Sequence, residues 1–169
     1  MKSKEPKEAD RKPRLEFRKL ITLLLIFGIV IVSSFIIYNI LKPKSEYITF
    51  GILNSEKSAQ FQKECLVGEN ISLYVFIGNH LNRELNFRLE ILKGDNDTYL
   101  VLNQPTNGSS FLNITSNISN GLDWISNLIN VSFTEPGINK LIIAELWLIK
   151  TDSTEYFYNS LYQRLNVTI

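Results

Sequence analysis

The sequence predicts an all-β domain, an immunoglobulin-like antiparallel β-sandwich of about seven strands, preceded by a single N-terminal transmembrane α-helix. Three observations predict it. Residues 20–41 form a run of 22 without a charged side chain. Beyond that run apolar residues recur with period two, and no long stretch keeps a helical period. Turn-forming residues separate the alternating segments, as in a sandwich of short strands. The 169 residues thus divide into a cytoplasmic basic tail (1–19), a transmembrane helix (20–41) and an extracellular β-sandwich (42–169) of one-domain length.

Leu20–Leu41 reads LITLLLIFGIVIVSSFIIYNIL. A helix of that length, rising about 1.5 Å per residue, crosses a hydrocarbon core. Thr22, Ser33, Ser34 and Asn39 are its strongly polar residues, and hydroxyl side chains can bond back to helix carbonyls. The run is too long for the core of a signal peptide, and Phe35-Ile36-Ile37-Tyr38 lacks the small residues of a cleavage site. It therefore reads as a retained anchor. Lys2, Lys4, Lys7, Arg11, Lys12, Arg14, Arg18 and Lys19 precede it, whereas Lys42 and Lys44 flank the other end. The positive-inside rule then places the N-terminus in the cytoplasm and the large domain outside the cell membrane. The tail reads as a topology signal that also touches anionic lipid.

Within 42–169 the first expected strand is Tyr47–Leu53. Ile71, Leu73, Val75 and Ile77 alternate with Ser72, Tyr74 and Phe76 in a second. Leu85, Phe87, Leu89 and Ile91 alternate with Asn86, Arg88 and Glu90 in a third. Further strands are expected at Tyr99–Leu102, Trp124–Phe133, Ile138–Ile149 and Tyr156–Val167. Ile138–Ile149 is almost continuously apolar, so it should be central and covered on both faces. Asn103–Gly121, rich in Asn and Ser, reads as a long polar loop, and Asp95-Asn96-Asp97 as a hairpin turn rather than a calcium loop.

The most informative motif is N-x-S/T. It occurs at Asn70, Asn96, Asn107, Asn113, Asn117, Asn130 and Asn166, always beyond the membrane run. With 16 Asn and 20 Ser/Thr among those 128 residues, chance gives roughly 2.5 such triplets. The surplus, on the side that topology places outside, marks these residues as glycosylation acceptors; Asn/Ser-rich composition is the alternative. Asn96, Asn107, Asn113 and Asn117 fall in turns and loop, so they should be the most accessible.

Other residues exclude more than they assign. A formal net charge of +1 argues against nucleic-acid partners. One cysteine and one histidine exclude an internal disulfide and a Cys/His zinc set. Cys65 is either a buried thiol entering the core or half of a disulfide to a second chain. His80, in a connection between strands, has no visible nucleophile or further ligand, and reads as a turn histidine. No phosphate loop, nucleophile elbow or paired carboxylates can be nominated. No catalytic, cofactor-binding or metal residue is assigned, and no cofactor is expected. Tyr74 and Phe76 should point away from the core, and Trp147 lies on one face of the central strand. These three form a candidate partner surface unless the long loop or the first strand covers them.

Glu46-Tyr47 with Gly51-Ile52-Leu53-Asn54, then Val67-Gly68-Glu69-Asn70 and Gly78-Asn79-His80, followed by Gly121-x-x-Trp124, Phe133-Thr134-x-Pro136-Gly137 and Tyr162-x-Arg164-Leu165-x-Val167, resemble in order and spacing an uncharacterised archaeal membrane-protein family. That family carries the domain of unknown function 1616. The resemblance covers residues 46–167. It implies an Ig-like outer domain in an archaeal cell envelope, and transfers no activity or catalytic residue. Many members have several membrane spans where this chain has one. The expected function is a non-enzymatic, single-pass glycoprotein whose partners are the bilayer and another envelope or membrane protein, or a second copy. The alternative is an accessory or sensor subunit of a multi-span complex such as a transporter, receptor or glycan machinery.

Overall fold

The computed structural model describes residues 12–42 and 45–169, with side chains in the helix from residue 17 onward. The chain divides between Lys44 and Ser45 into two compact units. Residues 1–11 of the basic tail lie outside the described residues.

The first unit is helix α1, Lys12–Leu41. Its segment Phe17–Leu41 is long and apolar enough to cross a membrane. Two polar interruptions are satisfied within the helix, as lipid would require. Thr22 Oγ1 donates to the Arg18 carbonyl at 2.9 Å, and Asn39 Nδ2 donates to the Phe35 carbonyl at 2.8 Å.

The second unit is an Ig-like β-sandwich of nine strands. They are β1 (Tyr47–Asn54), β2 (Glu64–Leu66), β3 (Ile71–His80), β4 (Leu85–Gly94), β5 (Ser109–Ile118), β6 (Asp123–Ile125), β7 (Ile129–Val131), β8 (Gly137–Ile149) and β9 (Glu155–Thr168). In one sheet β3 lies between β1 and the pair β6 and β7. The other runs β2-β9-β8-β4-β5. All pairings are antiparallel except β2 with β9.

The alternating segments bury the residues their period assigns. Leu73, Val75 and Ile77 from β3 meet Phe87, Leu89 and Ile91 from β4, together with Ile142, Ala144, Leu146 and Leu148 from β8, in one core. Trp124 packs edge-on to Phe87, with ring centroids 5.1 Å apart. Strand β8 is central and buried on both faces, as its apolar run requires. Its second face carries Leu141 and Ile143, which pack with Leu92 and Leu100. The segment between β4 and β5 supplies that cover. Gly108 lies so close to Leu92 and the Lys93 carbonyl that a Cβ would meet both at 3.1 Å.

Three sequence expectations need correction. Tyr99–Leu102 is not a strand; it belongs to the covering segment, where the Tyr99 N–H bonds the Asn107 side chain at 2.7 Å. Asn103–Gly121 is not one loop, because β5 occupies Ser109–Ile118 and pairs with β4 along its length. Leu112, Ile114 and Ile118 turn inward while Asn113, Thr115 and Asn117 face out. Asn and Ser are poor strand formers, but a sheet edge tolerates them. Trp124–Phe133 is two strands. Ser126 turns in between them, its N–H donating to the Val75 carbonyl and its Oγ accepting from the Val75 N–H, each at 2.9 Å.

Asn79, fully buried near the end of β3, joins the sheets. Its Nδ2 donates to the carbonyls of Arg83 and Ile118, both at 2.8 Å, and its Oδ1 accepts the Leu81 N–H at 3.0 Å. Its backbone bonds Gly121 and Leu122. Gly121 has φ +75°, so it makes this turn without the Cβ clash of other residues.

Two substitutions test this core in the full chain in detergent, read by urea unfolding. Leu146→Asp places an unpaired carboxylate at a fully buried site and should cost about 4 kcal/mol or more; Asn113→Asp, exposed on β5, should unfold like the parent. Asn79→Ala leaves the buried Ile118 carbonyl and the part-buried Arg83 carbonyl without their donor and should cost about 2–4 kcal/mol. Parent-like midpoints for both core variants would refute this packing.

Candidate functional site

The two outer faces of the sandwich differ. On the five-stranded sheet, the face away from the core is covered at one end of β8 by the β4–β5 segment and further along β8 by a polar network, while Tyr162 on β9 stays 51% exposed. Glu145 is fully buried there. Its Oε1 accepts the Thr106 N–H at 2.6 Å, and its Oε2 accepts the Trp147 indole N–H at 3.3 Å. Arg88 lies over the Trp147 ring, 4.8 Å from its centroid, and bridges Glu90 at 2.7 Å and Glu155 at 2.9 Å. Burial acts to lower the Arg88 pKa, but the hydrogen bonds to the two carboxylates outweigh it and leave it raised. Phe157 stands edge-on to Trp147 at 5.5 Å. Trp147 is thus half-buried and held on both sides by its own chain.

The four-stranded sheet presents the opposite situation. Tyr74 and Phe76 point away from the core, as the alternation of β3 requires, and each is partly exposed. Leu53 stands opposite Tyr74, with Gly51 and Ile125 on either side of Phe76. Lys57 Nζ lies 5.7 Å from the Tyr74 ring centroid. Ile125 is 45% exposed and Tyr47 is 51% exposed. Further along the same face Tyr47 stacks on His80, with ring centroids 4.5 Å apart. His80 is the last residue of β3 rather than part of the connection that follows it.

The sequon asparagines lie at the surface. Asn70, Asn96, Asn107, Asn113, Asn117 and Asn130 are exposed, and Asn166 is half-buried. Asn113 and Asn117 project from the same side of edge strand β5. Asn96 sits at the turn after β4, where Asp95 Oδ1 accepts the Asp97 N–H at 3.1 Å. Asn107 Oδ1 accepts from Tyr99, Asn130 Oδ1 accepts from Ser72 Oγ at 2.7 Å, and Asn166 Oδ1 accepts from the Asn139 N–H at 3.2 Å. Four of the seven therefore decorate β5 and the adjoining cover; Asn130 alone stands among the sheet residues beside β3.

Cys65, in β2, is 5% exposed within the main core. Burial pushes its thiol pKa up, and the nearby Glu69 carboxylate adds to the rise. Of the two roles left open by the sequence, this placement is that of the buried thiol. Among the described residues, no three His, Cys, Asp or Glu side chains stand together as a metal-binding group.

No family model matches the chain, and no curated protein matches it. Among solved structures it is similar to the CARDB domain of a Pyrococcus furiosus protein, with 11% identity and a TM-score of 0.48 over 76% of this chain and 93% of that one. It is also similar to a β-glucosidase from Listeria innocua, with 11% identity and a TM-score of 0.45, over 75% of this chain but only 17% of the enzyme. A cohesin module from a family 33 glycoside hydrolase of Clostridium perfringens matches with 9% identity and a TM-score of 0.38, over 75% of this chain and 98% of the module.

The placement of Cys65 makes a direct prediction. A thiol reagent added to the native chain at pH 8 should react at least about tenfold more slowly than after unfolding in guanidinium, because both access and thiolate fraction are reduced. Equal rates would place Cys65 at the surface.

Proposed function

We propose that this chain is a non-enzymatic, single-pass, N-glycosylated protein of the cell surface. Its Ig-like domain lies outside, and binds another envelope component through the uncovered face of the four-stranded sheet. The observation that carries this reading is the asymmetry of the two faces. On the five-stranded sheet its own loop and the Arg88–Trp147–Glu145 network cover the outer face of β4 and β8, and Tyr162 of β9 is the aromatic residue left 51% exposed there. The other face leaves Tyr74, Phe76 and Ile125 partly open. Aromatic side chains supply large contact area at small entropic cost, which suits a binding patch. Glycans on Asn96, Asn107, Asn113 and Asn117 would occupy the β5 side, and the patch stays free on the condition that Asn130, which pairs with Ser72 on the same outer face as Tyr74, carries none. The charge difference across the apolar helix supports the outward orientation of the domain.

Topology and modification are tested together. Protease added to intact cells should remove the domain and leave a membrane-held fragment, and the native mass should exceed 19.5 kDa by several glycans. A protected domain would refute the orientation, and a bare-chain mass would refute the glycans. For the binding face, a photo-crosslinking residue replacing Phe76 should capture one defined envelope protein on intact cells, whereas the same residue replacing Thr115 on β5 should not. Adducts with lipid alone would refute the proposed partner.

A further inference from the structure

An edge strand offers unpaired N–H and C=O groups to any other strand, and native folds blunt such edges with charge, proline, bulges or shortness. Most edges of this sandwich are blunted. Strands β2, β6 and β7 have three residues each. Strand β5 bulges where it passes Ile91 and Leu92, and it carries the Asn113 and Asn117 sequons. The stretch of β9 that β2 leaves open is interrupted by a register shift at Tyr158. Strand β1 has none of these guards. Its eight residues, YITFGILN, include no charge and no proline, and its register with β3 is unbroken.

The direction of the free groups on β1 follows from β3. There the backbone of Val75 bonds Ser126, and that of Asn79 bonds Gly121 and Leu122, all on the β6 side. Bonding direction alternates along a strand, so Tyr74, Phe76, Gly78 and His80 turn their groups to β1, where they meet Leu53, Gly51, Thr49 and Tyr47. Ile48, Phe50 and Ile52 therefore aim N–H and C=O out of the sheet. Asn54 continues the alternation, and its outward N–H is taken by the Ser58 carbonyl at 2.8 Å. Among the described residues, no backbone bond outside the ladder reaches Ile48, Phe50 or Ile52.

We propose that two copies of this chain pair through this edge, β1 against β1, antiparallel about a two-fold axis at Phe50. The free groups choose the register. Centring on Phe50 sets Ile48 of each copy opposite Ile52 of the other, and these pairs exchange about six backbone hydrogen bonds. Centring on Gly51 would call on Asn54, whose N–H and C=O already serve Ser58 and Lys57. A second copy is the occupant this strand fits. On the outer face Tyr47, 51% exposed, meets half-buried Leu53 of the other copy, twice over. Thr49 meets Gly51, where no side chain stands in the way. Such cross-strand pairs stabilise a sheet, and the neutral strand sets no like charges against each other. The contact uses the edge of the four-stranded sheet and not its face, so it is independent of the partner proposed for Tyr74 and Phe76.

The test uses the full chain in detergent. Sedimentation equilibrium should show a reversible dimer. Thr49→Cys combined with Gly51→Cys should give a disulfide-linked dimer on mild oxidation, because opposed residues at such positions approach to about 4.5 Å between Cα atoms. Asn113→Cys combined with Thr115→Cys, on the β5 edge, should not. A Cβ at Gly51 meets nothing within 4 Å, so Gly51→Lys and Gly51→Glu should keep the parent's unfolding midpoint. Each should weaken the dimer at least about fivefold, since like charges then straddle the axis, and an equimolar mixture of the two should associate like the parent. A monomeric parent, equal cross-linking from the β5 pair, or a mixture that fails to recover overturns the proposal. So does a dimer unmoved by Gly51→Lys, which is the result expected of a dimer held by its helices.

Discussion

Asn79 is the constraint on which the rest of the sandwich depends. It stands in β3, yet its side chain holds the β3–β4 connection through the Arg83 carbonyl and the end of β5 through the Ile118 carbonyl. One amide thus ties a strand of one sheet to the edge strand of the other. Its backbone also fixes the Gly121–Leu122 turn, which sets where β6 begins. Asn79 is itself wholly buried and its side-chain amide is partnered at both ends, so a missing partner would be costly. The same turn leads directly into β6, whose Asp123 pairs with Gly78.

The second organising feature is the unequal treatment of the two sheets. Central strand β8 offers apolar side chains to both faces, and the domain meets that demand from its own sequence. Leu100 and Gly108 close over Leu141 and Ile143, and the Thr106 N–H satisfies the buried Glu145 carboxylate. A buried carboxylate without such donors would be strongly unfavourable. The four-stranded sheet has no comparable demand, because Ser72, Thr49 and Gly78 interrupt its outer aromatic residues. Its partial exposure is therefore compatible with a stable fold and leaves area available for contact.

Most strands were legible because period two is a local signal. The alternation in Ile71–Ile77 and Leu85–Ile91, and the unbroken apolar run in β8, needed no partner to be read. Strand β5 was obscured because its outward residues are Asn, Ser and Thr, so composition spoke for a loop while Leu112, Ile114 and Ile118 kept the inward period. The break at Ser126 depends on bonds to Val75, some fifty residues away, which no local pattern reports. The same holds for the approach of Thr49, His80 and Asp123 to Gly78. Thr49, His80 and Asp123 are unremarkable in their own neighbourhoods, and only the register of three strands brings them together. The surface positions of most sequons followed from polarity alone. The covering of Trp147 did not, because it arises from Arg88 and Phe157 on neighbouring strands.

The pairing of β1 has a mechanical consequence. The chain passes from the helix to β1 within a few residues, so tension between the helix and the β domain enters at Tyr47. Strand β1 is an edge strand bonded to β3 alone. Its register runs without a break from Tyr47↔His80 to Asn54↔Leu73. A pull along β1 therefore loads the bonds of that ladder together, in shear, rather than opening them one at a time. Because β3 also carries Tyr74 and Phe76, a load applied at those side chains would reach the helix through one sheet, without crossing the apolar interface between the two layers.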